Sequence, residues 1–141
     1  MSPFLAPMEI AMQSVQFNQR SADEITQELG GEIVRGSKFQ AKPWTHIVVV
    51  VTLDGEKSMF GYVFWEPTEW QGATPDGLGA LRLAADLRES MRVPGSDAWK
   101  KCRIRITRAT GEIDIDFDYN GNSWTPTMSD PAAFAFSLRD R

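Results

Sequence analysis

The sequence predicts an α+β domain in which a four-stranded, mainly antiparallel sheet carries two helices packed on one face. Three observations favour this class. Two amphipathic helical segments alternate with two pairs of strand-like segments, glycine-containing turn sequences join the strands of each pair, and 141 residues is the length of one domain. The predicted element order is α-ββ-α-ββ. We predict a single domain over residues 1–141, in which 1–20 and 120–141 are extensions of undecided conformation.

The first helix is predicted from about residue 8 to 29, with a break near 18–21. Ser21 and Glu24 have the spacing of a capping box, in which each side chain bonds the backbone N–H of the other residue. Apolar residues then recur at helical spacing. Gly30-Gly31 is expected to end the helix.

A β-hairpin is predicted next, with strands over residues 44–53 and 59–65. Asp54-Gly55 between them is typical of a two-residue turn, because glycine and aspartate tolerate positive φ. With that turn, Val51 would lie opposite Ser58. Both faces of the hairpin would then be largely apolar.

The second helix is predicted after a loop over residues 66–75. Thr74 is a candidate N-cap, and Pro75 suits the first helical position because its missing N–H is not needed there. The expected buried stripe consists of apolar residues at helical spacing: Ala80, Leu83, Ala84, Leu87 and Met91.

The second hairpin shows the clearest alternation in the chain. Apolar residues, with Cys102 among them as inert core, are expected on one face and charged residues on the other. A two-residue turn at Thr110-Gly111 would pair Arg105 with Asp116 on the charged face. The tail over residues 120–141 is either a short docked helix or an irregular wrap.

Composition and charge exclude several functions. The chain is 42% hydrophobic and 24% charged, which is too apolar for a disordered chain and too charged for a membrane protein. A net charge of −4 argues against direct nucleic-acid binding, because phosphates require a basic surface. The N-terminus lacks the pattern of a signal peptide. One cysteine suits a reducing compartment, so we expect a cytoplasmic location.

No catalytic, metal or cofactor motif is predicted. The run Asp114–Asp118 resembles the start of a calcium loop, but Tyr119 and Thr125 stand where that loop needs glycine and glutamate. These carboxylates are expected to form a solvated strand face paired with arginines. The lone histidine, His46, is expected to be a packing residue, since no nucleophile motif accompanies it. We therefore expect no enzyme activity and no cofactor.

The aromatic residues of the first hairpin exceed what one sheet face can bury under two helices. Either the tail covers the remainder, or they form a protein-binding surface, for which aromatic residues are favoured anchors. In the second case Glu66 and Glu69, close to Trp65 and Trp70 in the sequence, would give that surface an acidic rim.

The segment from Ala98-Trp99-Lys100 through Ile104-Arg105-Ile106 to Gly111–Tyr119 resembles the closing hairpin of the YezG-like family of bacterial immunity proteins. The upstream order of elements is similar too, so the resemblance spans about residues 20–120. The matching residues are signature positions without catalytic roles: Trp99, Gly111, Asp116, Phe117 and Tyr119.

The resemblance implies an antitoxin that blocks a polymorphic or contact-dependent toxin domain, such as a nuclease, by protein–protein occlusion. It implies no cofactor and no catalysis, and it does not identify the toxin. The residues expected to contact the toxin are aromatic anchors and acidic side chains: Trp65, Trp70, Glu66, Glu69, Asp114, Asp116 and Asp118.

Two other functions remain open on the sequence alone. The first is a small enzyme or ligand-binding domain with a cleft between Trp44, Trp65 and the loop over residues 67–75, in which His46 would act. The second is a secretion chaperone or adaptor. An enclosed pocket that holds His46 and a carboxylate would favour the first of these.

Overall fold

The computed structural model describes residues 21–41, 43–127 and 129–140. In chain order its elements are α1 (Ala22–Val34), α2 (Ser37–Gln40), β1 (His46–Thr52), β2 (Ser58–Phe64), β3 (Trp70–Gly72), α3 (Gly79–Ser90), β4 (Lys101–Thr107), β5 (Glu112–Asp118) and α4 (Pro131–Asp140). The predicted helical segment before residue 21 lies outside the described residues.

The sheet confirms the α+β class and the antiparallel pairing, but it has five strands where four were predicted. The strand order is β3-β2-β1-β4-β5, and every neighbouring pair is antiparallel. The fifth strand is the three-residue β3, which lies in the segment expected to be a loop and pairs with the end of β2. β1 therefore lies at the centre, between β2 and β4, and β3 and β5 form the edges.

Helix α1 begins with the predicted capping box. The Ser21 Oγ accepts from the Glu24 N–H at 3.1 Å, and the Glu24 carboxylate accepts from the Ser21 N–H at 2.9 Å. The expected end at Gly30-Gly31 was wrong, because the helix continues to Val34. Gly30 serves instead for close packing: a methyl group there would collide with the side chain of Ile113 on β5.

The register of the first hairpin differs from the prediction by one residue. Val51 lies opposite Met59 rather than Ser58, because five residues, 53–57, connect the strands instead of a two-residue turn. Such a shift moves every side chain of one strand to the other face. Phe60 and Tyr62 thereby lie on the face away from α1, together with Val48.

Helix α3 begins at Gly79, four residues after the expected start at Pro75. Thr74 is therefore not its N-cap. Leu78 holds the cap position without a side-chain hydrogen bond. The predicted stripe is only partly buried: Ala80, Ala84 and Leu87 are buried, whereas Leu83 and Met91 are half-buried.

The second hairpin has the predicted faces but a register shifted by two residues. Arg105 lies opposite Asp114, and Arg103 lies opposite Asp116. A shift of two preserves which side chains share a face. The expectation of a solvated charged face was wrong at Arg103, which is 6% exposed because the Trp124 ring lies 5.3 Å from its guanidinium carbon.

The sheet separates two apolar clusters. The larger lies beneath α1 and α3 and includes Ile104 and the buried thiol of Cys102, as predicted. The smaller lies on the opposite face, where Ala135 and Leu138 of α4 pack on Val48 and neighbouring residues. The tail is thus a docked helix. It covers apolar surface that two helices on one face would have left open.

Candidate functional site

The residues expected to contact a partner lie at two opposite edges of the sheet. Trp70 belongs to β3, whereas Asp114, Asp116 and Asp118 belong to β5. Three strands lie between those edges, which places them about 19 Å apart at the usual strand spacing of about 4.8 Å. They therefore do not form one contiguous site.

The aromatic anchors at the β3 edge are partly used inside the protein. The Trp70 ring packs edge-on against Tyr62, with 5.7 Å between ring centroids, and Trp65 packs against the larger core. Both indoles are half-buried. Glu66 and Glu69 are exposed beside them.

Asp116 is bound within the sheet. Its Oδ2 accepts hydrogen bonds from Nε and an Nη of Arg103, at 3.0 and 2.5 Å. The same oxygen lies 3.4 Å from an Nη of Arg105. One carboxylate therefore serves two guanidinium groups.

Asp118 shapes the loop that follows β5. Its Oδ1 accepts from the N–H groups of Asn120 and Gly121, and its Oδ2 accepts from the N–H of Ser123 at 2.8 Å. Burial raises the pKa of this carboxyl. The hydrogen bonds from Ser123, Gly121 and Asn120 lower this pKa by more than burial raises it. The net pKa therefore lies below the ordinary value of 3.8. At 8% exposure, Asp118 offers a partner little surface.

Asp118→Asn is expected to destabilise the fold by about 2 kcal/mol, because an amide cannot accept at both positions and loses charge-assisted bonds. A carboxyl whose pKa is lowered by folding contributes stability above its unfolded pKa and loses it as pH falls through its folded pKa. Urea unfolding of the wild type and the variant at neutral pH and near pH 3 measures both effects. The difference between them should shrink in acid; a pH-independent difference would contradict this role.

The outer edge of β5 carries two exposed carboxylates. We call it the acidic edge: the side chains of Glu112 and Asp114 on the strand's outward face, and those of Ile113, Ile115 and Phe117 on its inward face. Both carboxylates are exposed, and neither forms an ion pair with any described residue. No described strand pairs with the outer side of β5, so alternate backbone N–H and C=O groups point away from the sheet.

Apolar side chains of the acidic edge are less covered than those of its neighbour. Ile113, Ile115 and Phe117 are half-buried, whereas Ile104 and Ile106 of β4 are at most 4% exposed. The helices cover the sheet centre and leave this edge in contact with solvent. An incoming strand or loop could therefore gain both backbone hydrogen bonds and apolar burial here.

Most residues that carry the family resemblance have structural roles. Trp99 is buried against Phe117, with 5.4 Å between ring centroids, and Gly111 adopts a φ of 71° in the turn. Asp116 neutralises Arg103. Tyr119, which is 50% exposed, is the signature residue most available to a partner.

A polar cleft lies on the face of the sheet that carries Asp114. We call it the His46 cleft; its volume is about 140 Å³, and it is lined by His46, Ile47, Val48, Arg105, Thr107, Asp114 and Arg139. The sequence-based alternative was a cleft between Trp44, Trp65 and the loop over residues 67–75. The His46 cleft is lined by none of these. Trp44 is buried near α1, where the Arg108 guanidinium lies 4.0 Å from its ring centroid.

Sequence reasoning missed Arg105, Thr107 and Arg139 as lining residues of one cleft. It placed Arg105 on the correct face but paired it with Asp116 rather than Asp114, and it left the conformation of the tail open. The detectable signal was the excess of apolar residues on both faces of the first hairpin. That excess was compatible with a docked tail or with a protein-binding surface; in the structure the tail docks and brings Arg139 to the sheet.

Other chemistry of the described residues is limited. No group of three or more His, Cys, Asp and Glu side chains among residues 21–41, 43–127 and 129–140 could hold a metal ion. Burial raises the pKa of the Cys102 thiol to about 12, which keeps it protonated and unreactive. Within the same ranges, no helix has the length and apolar character that crossing a membrane requires.

Comparison with known proteins gives no assignment: no protein-family model matches the chain, and no curated protein matches it. The YezG-like resemblance therefore stays a prediction. It is carried by the quoted residues alone.

Proposed function

We propose that this protein is a cytoplasmic immunity protein that binds a cognate toxin domain and blocks it by occlusion. The observation that carries the proposal is the acidic edge. It combines an open strand edge, half-exposed apolar side chains and two carboxylates without ion pairs among the described residues. These are the features by which a protein surface adds a strand or loop of another protein.

Charge favours a basic toxin surface as the partner. The chain has a net charge of −4, and Glu112 and Asp114 project this charge at the acidic edge. A toxin nuclease needs a basic surface to hold phosphates. That surface would be electrostatically complementary to the acidic edge.

Rescue of growth tests the function directly. A candidate toxin domain, sought among the products of the neighbouring genes, is expressed from an inducible promoter, alone or with this protein. The proposal requires that cells survive only when the two proteins are co-expressed. If this protein leaves killing unchanged while both proteins are present and folded, the proposal is wrong.

A charge reversal at Asp114 tests the surface. Asp114→Lys is expected to weaken toxin binding by about tenfold or more, because it places a like charge opposite a basic surface. Glu56→Lys is the matched control: it makes the same charge change at an exposed turn residue outside the acidic edge. Equal affinity of the two variants, measured by calorimetry, would remove the acidic edge from the interface.

A further inference from the structure

The His46 cleft brings together polar groups from four elements. β1 contributes His46, β4 contributes Arg105 and Thr107, β5 contributes Asp114, and α4 contributes Arg139. Its volume of about 140 Å³ is many times the roughly 10–15 Å³ of cavity volume that holds one water molecule. A small ion fits this space.

Arg105 is the least satisfied cation in the cleft. Its nearest carboxylate oxygen, Asp116 Oδ2, already accepts two shorter hydrogen bonds from Arg103. One Nη of Arg105 donates to the backbone oxygen of Arg139 at 3.5 Å, which is long for such a bond. Its Nε is buried and has no hydrogen-bond partner among the described residues. The guanidinium therefore retains unused donors and an incompletely neutralised charge.

Apart from Asp116, the two carboxylates near the cleft belong to Asp114 and Asp140, and neither neutralises Arg105. Asp114 lies directly opposite it in the ladder but forms no ion pair with any described residue. Asp140 is bound to the neighbouring Arg139, with 2.6 Å between Oδ1 and Nε and 2.9 Å between Oδ2 and an Nη. Arg139 is thus largely neutralised, and Arg105 supplies the available positive charge.

His46 is hydrogen-bonded through one ring nitrogen. Its Nδ1 lies 3.0 Å from the Thr45 hydroxyl oxygen, and its Nε2 has no hydrogen-bond partner among the described residues. Protonation of the neutral imidazole would make both ring nitrogens donors and add a positive charge.

We propose that the His46 cleft binds a small oxyanion, a phosphate or carboxylate group, held by Arg105, the Thr107 hydroxyl and the protonated imidazole of His46. The anion supplies the countercharge that Arg105 lacks. Binding is coupled to the uptake of one proton at His46. The Asp114 carboxylate opposes the anion and limits its affinity. This inference does not depend on the toxin.

The pH dependence has a definite sign. Burial and the charge of Arg139 lower the pKa of His46 in the ligand-free protein, and Asp140 partly offsets them. An anion beside the imidazole raises that pKa, so affinity for an anion of constant charge increases as pH falls through the region below 6.5. The other charged groups at the cleft are Arg105, Asp114 and the Arg139–Asp140 pair, whose mutual hydrogen bond raises the pKa of Arg139 and lowers the pKa of Asp140.

The lone histidine makes the test specific. His46 is the only histidine of the sequence, so its ring protons give one set of NMR signals in the untagged full chain. Sodium phosphate and sodium acetate are titrated separately at constant ionic strength, with chloride as the replaced anion. We expect saturable shifts of the His46 signals and a raised His46 pKa. Acetate stays ionised near neutral pH, so it is the probe for the pH dependence.

Two variants are expected to change the anion affinity in opposite directions. Arg105→Gln should weaken binding by about tenfold or more, because it removes a charged donor, whereas Asp114→Asn should tighten binding because it removes the opposing charge. Arg82→Gln on the exposed side of α3 is the matched control and should leave affinity unchanged. Thermal melts show which variants are folded.

Each outcome decides the proposal. Saturation by both anions, lost in Arg105→Gln and strengthened in Asp114→Asn, supports a general oxyanion site. Saturation by phosphate or by acetate alone supports the site and identifies the group that it prefers. Linear shifts without saturation, or equal affinity in folded Arg105→Gln and the wild type, would overturn it.

Discussion

Trp99→Ala is expected to destabilise the protein by about 3–5 kcal/mol, the range for loss of a large buried aromatic side chain. Trp99 is 1% exposed and packs against Phe117 beneath α3. Its removal leaves a cavity next to the second hairpin, where the acidic edge lies. Urea unfolding measured by circular dichroism gives the change in free energy.

Trp99→Phe is the matched control. The indole Nε1 is buried without a hydrogen-bond partner among the described residues, so phenylalanine loses no such bond there. The backbone oxygen of residue 99 accepts from Arg88 Nε at 2.6 Å, and neither Trp99→Ala nor Trp99→Phe removes this bond. We expect Trp99→Phe to cost about 1–2 kcal/mol. If it cost as much as Trp99→Ala, packing would not be the role of this residue.

Gly61→Ala is expected to cost about 3 kcal/mol, because the new methyl group has no space. A Cβ at Gly61 would lie 2.7 Å from the Ala73 oxygen and 2.8 Å from the Val48 oxygen. Both atoms belong to the backbone of the sheet, so they cannot move aside as a flexible side chain would. Relief requires β2 to separate from its neighbours.

Gly72→Ala tests the same substitution on the neighbouring strand. Nothing lies within 4 Å of a Cβ at Gly72, and its backbone needs no positive φ. The change should leave stability within about 0.5 kcal/mol or raise it slightly, since alanine reduces the entropy of the unfolded chain. Comparable losses at Gly61 and Gly72 would contradict the steric account.

The fold class could be predicted because hydrophobic periodicity depends on local patterns. Alternation in the second hairpin correctly assigned Ile104 and Ile106 to the core and Arg105 to the opposite face. The capping box at Ser21 was equally local. These features depend on residues only a few positions apart.

Registers and edges could not be predicted because they depend on tertiary contacts. Asp54-Gly55 is compatible with several connection lengths, and a one-residue shift of register exchanged the faces of β2. Gly30-Gly31 resembled a helix end, but both glycines lie inside α1, where Gly30 packs close to the side chain of Ile113. The short strand β3 has too few residues to show alternation.

The candidate site was predicted only in part for the same reason. The acidic residues of β5 were found as a pattern, but their availability depends on neighbours. Arg103 holds Asp116, the loop after β5 encloses Asp118, and Asp114 remains exposed. The His46 cleft requires both the true register of β4 with β5 and the position of α4.

A stoichiometric titration of toxin activity tests the central claim, that this protein acts by covering a toxin rather than by turning over a substrate. Purified toxin at a concentration far above the dissociation constant is mixed with increasing amounts of this protein, and the residual toxin activity is measured at once and after long incubation. The account predicts a linear fall to zero at an equimolar ratio, with the same end point at both times. Loss of activity at a small fraction of one equivalent, deepening with time, would show turnover and contradict it.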